Sequence, residues 1–176
     1  GVDRLLMEPL LRGRLAGRRV ALLAHPASVT EHLVHTLDAL AALGDVRLTA
    51  AFGPQHGLRG DKQDNMVETA DFVDPVHGLP VFSLYGEVRR PTPAMLDTFD
   101  VLLVDLQDLG CRIYTFVTTL RYVLEEAARH GKAVQHGRTS QRYARATRHH
   151  ARHATRGVRG TVDEHIHVRK GDTVED

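Results

Sequence analysis

Several short runs of unbroken apolar residues punctuate the chain, each ending in a turn or a polar tip. The first, Arg19-Val20-Ala21-Leu22-Leu23-Ala24, follows a Gly-Arg-Arg turn and lacks the alternation of a half-exposed strand, so it predicts a strand buried on both faces. Val46 to Phe52, Val81 to Leu84 and Val101 to Val104 predict three more strands. Ala133 and Val134 begin a fifth, because a helix packed on a parallel sheet normally returns into it. Between the strands the period changes. Ser28-Val29-Thr30-Glu31 has the form of a capping box, so a helix is expected to start there, with Leu33, Leu37, Leu40 and Ala41 on its apolar face and Gly44 as a left-handed stop. Thr92-Pro93 reads as an N-cap and first helical residue of a short helix through Met95 and Leu96. Ile113, Phe116, Val117, Leu120, Leu124, Ala127 and Ala128 share one face of a longer helix that stops at Gly131.

Alternating strands and helices with two-sided strands predict an α/β fold: a Rossmann-like parallel sheet with helices on both faces. The polar stretch from Gly53 to Gly78 reads as one extended surface loop without regular structure, and loops of that length are usually functional or disordered.

At 176 residues the chain accommodates one domain. No apolar run approaches the roughly 18 residues that span a bilayer, so a soluble protein with no membrane partner is expected. The chain opens on Gly1-Val2-Asp3 without a charged-then-apolar leader, which leaves localisation open: periplasmic or secreted if a leader has been removed, otherwise cytoplasmic. The single cysteine, Cys111, excludes an internal disulfide and a cysteine zinc cage, and no cofactor or metal site is expected.

Charge divides the chain. Residues 1–135 hold 14 Lys+Arg against 17 Asp+Glu, residues 136–160 hold 7 against 0, and residues 161–176 hold 2 against 5. We therefore expect a domain over 1–135 and an aberrant basic tail over 136–176, disordered and unlike a sequence evolved to fold. A nucleic-acid-binding arm would need a recognition motif or interleaved aromatics, and a metal site on His149, His150 and His153 would need acidic partners. No nucleic-acid partner is expected.

In an open parallel sheet, ligands bind beyond the carboxyl ends of the strands. Those ends are all polar here: His25-Pro26, Gly53-Pro54-Gln55-His56-Gly57, Ser83-Leu84-Tyr85-Gly86 and Asp105-Leu106-Gln107-Asp108. Singly, each has a bland reading: Asp105 as a turn or cap, His25 as a packed histidine, Gly57, Gly60 and Gly86 as turn formers, Arg59 and Asp61 as a solvated pair. Their coincidence on one rim favours a site.

The strings Phe52-Gly-Pro-Gln-His-Gly-Leu-Arg-Gly-Asp61, Gly78-Leu-Pro-Val-Phe-Ser-Leu-Tyr-Gly86, Pro91-Thr-Pro93 and Asp105-Leu-Gln-Asp-Leu-Gly-Cys-Arg-Ile-Tyr-Thr115 resemble the NamZ-type exo-β-N-acetylmuramidases, a family formerly known as a domain of unknown function. The resemblance runs from about Val2 to Val134. It implies a hydrolase of peptidoglycan-derived glycans that releases terminal N-acetylmuramic acid in cell-wall recycling. It also implies a Rossmann-type domain followed by a smaller one, with the active site between them, so the chain is expected to be a truncated, incomplete form.

The family's catalytic glutamate maps onto Gln55, and an amide can neither protonate a leaving oxygen nor act as a carboxylate. Three readings stay open: a catalytically weak or inactive protein, proton transfer by His56, Asp105 or Asp108, or a glutamine-bearing branch acting on a related substrate. The alternative from another class is a non-catalytic sugar-binding module. Arg59 and Arg112 are candidates to grip the lactyl carboxylate of muramic acid, since a guanidinium suits bidentate carboxylate recognition. Tyr85, Tyr114, Thr115, Gln107 and His25 are candidates for sugar contacts, with Tyr85 also a platform for the ring. The oligomeric state is not legible.

Overall fold

The computed structural model describes residues 1–60, 70–107 and 115–136. All its strands but β3 follow the apolar runs: β1 (Arg19–Ala24), β2 (Arg47–Gly53), β3 (Phe72–Val73), β4 (Pro80–Ser83), β5 (Val101–Asp105) and β6 (Ala133–His136) form one sheet in the order β3-β4-β2-β1-β5-β6. All neighbours pair in parallel except β3, which runs antiparallel along β4. The parallel strands alone read third-second-first-fourth-fifth, a doubly wound order in which the chain changes direction across β1.

The apolar runs have no alternation because β1 feeds two cores. On one face Val20, Leu22 and Ala24 meet Leu37 and Leu40 of α3 (Thr36–Ala41), together with Ala51, Val101 and Leu103. On the other, Ala21 and Leu23 pack with Phe52, Phe99 and Leu102, under Met95 and Leu96 of α4 (Pro93–Leu96) and Phe116, Leu120, Val123 and Leu124 of α5 (Phe116–Arg129). Helices thus cover both faces. Residues Val20 to Ala24 are inaccessible to solvent. At about 1.5–3 kcal/mol for each large aliphatic side chain buried, these two layers dominate the stability of the sheet.

The capping of α4 is as predicted: the Thr92 side chain accepts from the Met95 N–H and Pro93 opens the helix. Helix α5 ends with Gly131 in the left-handed region at φ 63°. Its buried face carries Thr119 and Val123 and leaves Val117 exposed, a small rotation from the expected stripe, and Ile113 lies outside the described residues.

Helix α3 corrects the sequence reading. It begins at Thr36 and not near Ser28, because the Ser28 hydroxyl accepts the His25 N–H at 2.9 Å and donates to the Asp105 carbonyl. Residues 29–35 instead form a tight turn closed by a Val29–His35 bridge, with Leu33 at its tip, 81% exposed and at φ 59°. His35 takes the capping role, its side chain accepting from the Leu37 N–H. The helix ends with Ala42 in the right-handed region, and Gly44 is not left-handed.

Two further departures concern segments without apolar periodicity. The stretch read as a featureless loop contains β3, whose Val73 side is exposed. The N-terminal residues, for which the pattern predicted nothing, form α1 (Val2–Met7) and α2 (Pro9–Gly13), and neither buries a residue fully. Leu5 and Leu6 rest against the α3-side core, and Arg12 ties the pair down through the Leu5 and Leu6 carbonyls and the Asp45 carboxylate. Among the described residues no helix is long and apolar enough to cross a membrane. The expected tail, with His149, His150 and His153, lies outside the described residues apart from His136.

At the opposite end of the sheet, Asp100 clamps the start of β1 to β5: its carboxylate takes the Arg19 main-chain N–H at 2.9 Å and the guanidinium at 2.7 Å. That hydrogen bonding holds the Asp100 carboxyl down to about 2 from an ordinary 3.8. A depressed folded value means stability that is complete above the ordinary carboxylate range and is lost as pH falls through the folded value. Asp100→Asn should therefore lower stability at neutral pH and flatten its decline between pH 4 and 2, followed by urea midpoints; an unchanged acid limb would refute the assignment. Gly53 poses a steric test, because a Cβ there would lie 2.9 Å from the Leu58 main-chain nitrogen whereas one at Gly44 meets nothing within 4 Å. Gly53→Ala should cost about 1–3 kcal/mol and Gly44→Ala far less, and equal denaturation midpoints would contradict the close approach.

Candidate functional site

The carboxyl ends of β1, β2 and β5 converge where the sheet changes direction. After β2, the chain doubles back on itself: Gly57 N–H donates to the Pro54 carbonyl at 2.9 Å, and His56, Gly57 and Gly60 all lie in the left-handed region. A non-glycine residue such as His56 at φ 71° is uncommon and persists only where its surroundings enforce it. They do so through Leu58, which is buried in the α3-side core, and through the Gly53 carbonyl, which accepts the Leu84 N–H at 2.8 Å.

This turn buries Gln55 to 5% exposure and sets its Oε1 to accept from the Thr115 hydroxyl at 3.0 Å. Thr115 stands at the N-cap of α5 without making a side-chain cap, so its hydroxyl serves the loop rather than the helix. The next residue, Phe116, packs its ring 4.9 Å from that of His25. His25, also buried, accepts the Gln107 N–H through Nε2 at 2.9 Å. That bond requires Nε2 to be unprotonated, so the neutral ring carries its proton on Nδ1. Gln55, Thr115 and His25 are thereby brought to one edge, together with the main-chain N–H of Gln107.

Asp105 is not brought there. Residues Val101, Leu103 and Asp105 alternate onto the α3 face, and the Asp105 carboxylate accepts from the Thr36 hydroxyl at 2.6 Å. It faces a cavity beneath α1 and α2 lined by Val2, Leu5, Leu11, Leu22, Leu40 and Leu103. Burial pushes its pKa up, partly countered by the Thr36 hydrogen bond. As a proton-transfer partner for Gln55, Asp105 sits on the wrong face of the sheet.

Arg59 also departs from its expected role. Its guanidinium meets Asp38 of α3 end-on, Nη1 and Nη2 donating at 2.8 and 2.6 Å, and its Nε reaches Asp74 at 3.2 Å. Asp61, the other half of the solvated pair read from the sequence, lies outside the described residues. Asp74 is 1% exposed and additionally accepts the Val76 and His77 main-chain N–H groups, while His77 Nε2 lies 2.7 Å from the Asp38 carboxylate. The Arg59 hydrogen bond is the main cause holding the Asp38 carboxyl well below the usual range. A guanidinium already shared by two carboxylates is poorly placed to grip a third.

Tyr85 follows β4, its N–H donating to the Ser83 hydroxyl at 3.2 Å, and the Arg89 guanidinium lies 3.7 Å from its ring centroid. One face of the expected sugar platform is therefore already covered by a cation. Asp108, Arg112 and Tyr114 lie outside the described residues.

Sequence reasoning missed Ser28, His35, Thr36, Asp38, Asp74 and His77. His35 joins several loops: its Nε2 lies 3.2 Å from the His25 carbonyl and 3.1 Å from the Leu58 carbonyl, and its Nδ1 accepts the Leu37 N–H. A ring nitrogen between two carbonyls must carry the proton and donate, so His35 is neutral and joins the loops after β1 and β2. Only the polar tips themselves were visible in sequence; their supports come from elsewhere in the chain.

The groups assembled at this edge are the Gln55 amide, the Thr115 hydroxyl, the His25 imidazole and the Gln107 main-chain N–H, and they hydrogen-bond in pairs. None of them is a carboxylic acid.

Comparison with known proteins agrees with this arrangement of motifs. The family described as exo-beta-N-acetylmuramidase NamZ, N-terminal, matches residues 20–135. The peptidoglycan beta-N-acetylmuramidase NamZ of Bacillus subtilis (strain 168) is 43% identical over 131 residues, covering 74% of this chain and 31% of the relative. A crystal structure of a DUF1343 family protein from Bacteroides fragilis NCTC 9343 superposes with a TM-score of 0.66 at 41% identity, over 77% of this chain and 33% of its own. A second DUF1343 protein from the same organism gives 0.59 at 25% identity, with the same coverage. The chain spans about a third of the length of these relatives. On sequence and fold together, it belongs to the NamZ exo-β-N-acetylmuramidase family and corresponds to that family's N-terminal region.

Proposed function

We propose that this chain supplies the sheet-edge part of a sugar site in a glycoside hydrolase that releases terminal N-acetylmuramic acid from peptidoglycan fragments. The observation that carries the reading is the buried Gln55, held by Thr115 on a strained turn, a residue that the motif resemblance aligns with the family's catalytic glutamate. The surrounding geometry is that of a site built to fix a side chain, and the residue fixed has an amide in place of an acid. His56 or Asp108 is left to move a proton, since Asp105 faces away from the turn.

That same amide favours a second reading, a module that binds the muramic acid end of a glycan without cleaving it. Turnover separates the two. General acid-base catalysis contributes roughly 10²–10⁴-fold, so Gln55→Glu should raise kcat/KM on a chromogenic N-acetylmuramic acid glycoside by about that factor. Binding by both forms without turnover by either supports the module, whereas the absence of binding and turnover from both ends the muramidase reading.

With Arg59 engaged by Asp38 and Asp74, Arg112 becomes the candidate for the lactyl carboxylate that distinguishes N-acetylmuramic acid from N-acetylglucosamine. Arg112→Ala should weaken N-acetylmuramic acid by at least about tenfold more than N-acetylglucosamine, as a charge-assisted bidentate contact is worth roughly 1.5–3 kcal/mol. Equal losses for the two sugars, measured by calorimetric titration, would remove Arg112 from the role.

A further inference from the structure

We infer that Arg59 is a positioning residue: shared between Asp38 of α3 and the buried Asp74, its guanidinium fixes the turn that presents Gln55 and His56. The inference rests on the proposed function only in taking that turn as the site.

The turn has little regular structure to hold it. Three of its residues, His56, Gly57 and Gly60, are left-handed, and one internal main-chain bond, Gly57 to Pro54, closes it. Beyond the Leu84 main-chain bond to Gly53 and the burial of Leu58, its anchors are side chains on other elements. The first is His35, which donates to the Leu58 carbonyl at 3.1 Å from the start of α3. The second is Asp38, three residues further along that helix, which receives Arg59 through both carboxylate oxygens. One helical turn of α3 therefore grips two successive residues of the loop, Leu58 by its carbonyl and Arg59 by its side chain. Gln55 is held from the opposite side by Thr115.

The ion pairs differ from ordinary surface pairs, which contribute little because water competes for both partners. Asp74 is 1% exposed and has its Oδ1 occupied by two main-chain N–H groups, so it cannot swing away from Arg59 without breaking its own turn. Asp38 is restrained from the other side by His77 at 2.7 Å. A planar fork can satisfy both carboxylates at once, whereas a lysine ammonium at the same position would be a single point of charge. The cluster thus demands arginine and ties α3, the site turn and the 74–78 turn into one unit.

The test compares the full chain with Arg59→Lys, Asp38→Asn and the double variant. Hydrogen exchange of the Gly57 and Leu84 amides, which bond to Pro54 and Gly53, reports the turn; the amides of Val123 and Leu124 in α5 report the fold. Arg59→Lys should speed exchange of the first pair at least about tenfold while leaving the second unchanged, and the double variant should be little worse than the more severe single, short of the two combined, because the two residues act through each other. N-acetylmuramic acid and N-acetylglucosamine should then lose affinity by similar factors, because the turn and not a direct contact is disturbed.

Uniform acceleration across α5 and the turn would reduce the cluster to general stabilisation and overturn the inference. So would unchanged exchange at the turn with selective loss of N-acetylmuramic acid, which would make Arg59 a direct ligand. If the wild-type chain binds neither sugar, the proposed function fails, and the exchange comparison still decides the role of Arg59.

Discussion

Burial of β1 on both faces is the constraint from which the rest of the structure follows. A strand with no solvent side must be apolar at successive positions, must have parallel neighbours whose connections cross over it, and must deliver its polar groups at its ends. The chain meets these demands with Val20 to Ala24 wholly enclosed and His25 immediately after them. Every loop of the candidate site begins at the same end of the sheet because parallel strands share a direction, so the chemistry is collected there by topology.

What topology cannot do is fix the loops once they have left the strands. That task falls to buried and half-buried polar side chains: Ser28 and Thr36 fasten the end of β5 to the β1 loop and α3, His35 links two loop carbonyls, and the Thr115 hydroxyl donates to Gln55. Each satisfies a group that would otherwise be buried without a partner, at a cost of about 1–3 kcal/mol per loss. The neutral tautomers of His25 and His35 follow from this accounting, since each ring is defined by what its nitrogens face. The site is accordingly a network of uncharged hydrogen bonds with one charged cluster, Arg59 with Asp38, Asp74 and His77, set behind the turn.

The division between these two kinds of interaction explains what could be read in advance. The five parallel strands, α4 and α5 were legible because burial imposes apolar runs and local caps such as Thr92 act within a few residues, whereas the exposed β3 carries no such run. The start of α3 was misread because the Ser28 hydroxyl, in a good local capping pattern, is taken by the Asp105 carbonyl 77 positions away. Arg59 was misassigned for the same reason: its partners lie 21 residues before it and 15 after it, and nothing in the spacing announces them. Gln55, by contrast, stood out as a residue against a familiar motif, and the structure adds the Thr115 contact that the motif could not supply.

The N-terminal helices have a different energetic standing from the sheet they lean on. Because α1 and α2 enclose no side chain completely, detaching them exposes far less apolar area than opening the β1 layers would. Local opening free energies track such area, so the first dozen residues form a separable, low-energy unfolding unit hinged near the fully enclosed Leu15. Transient lifting of that unit would admit more water to the Asp105 carboxylate while leaving the opposite core, under α4 and α5, closed.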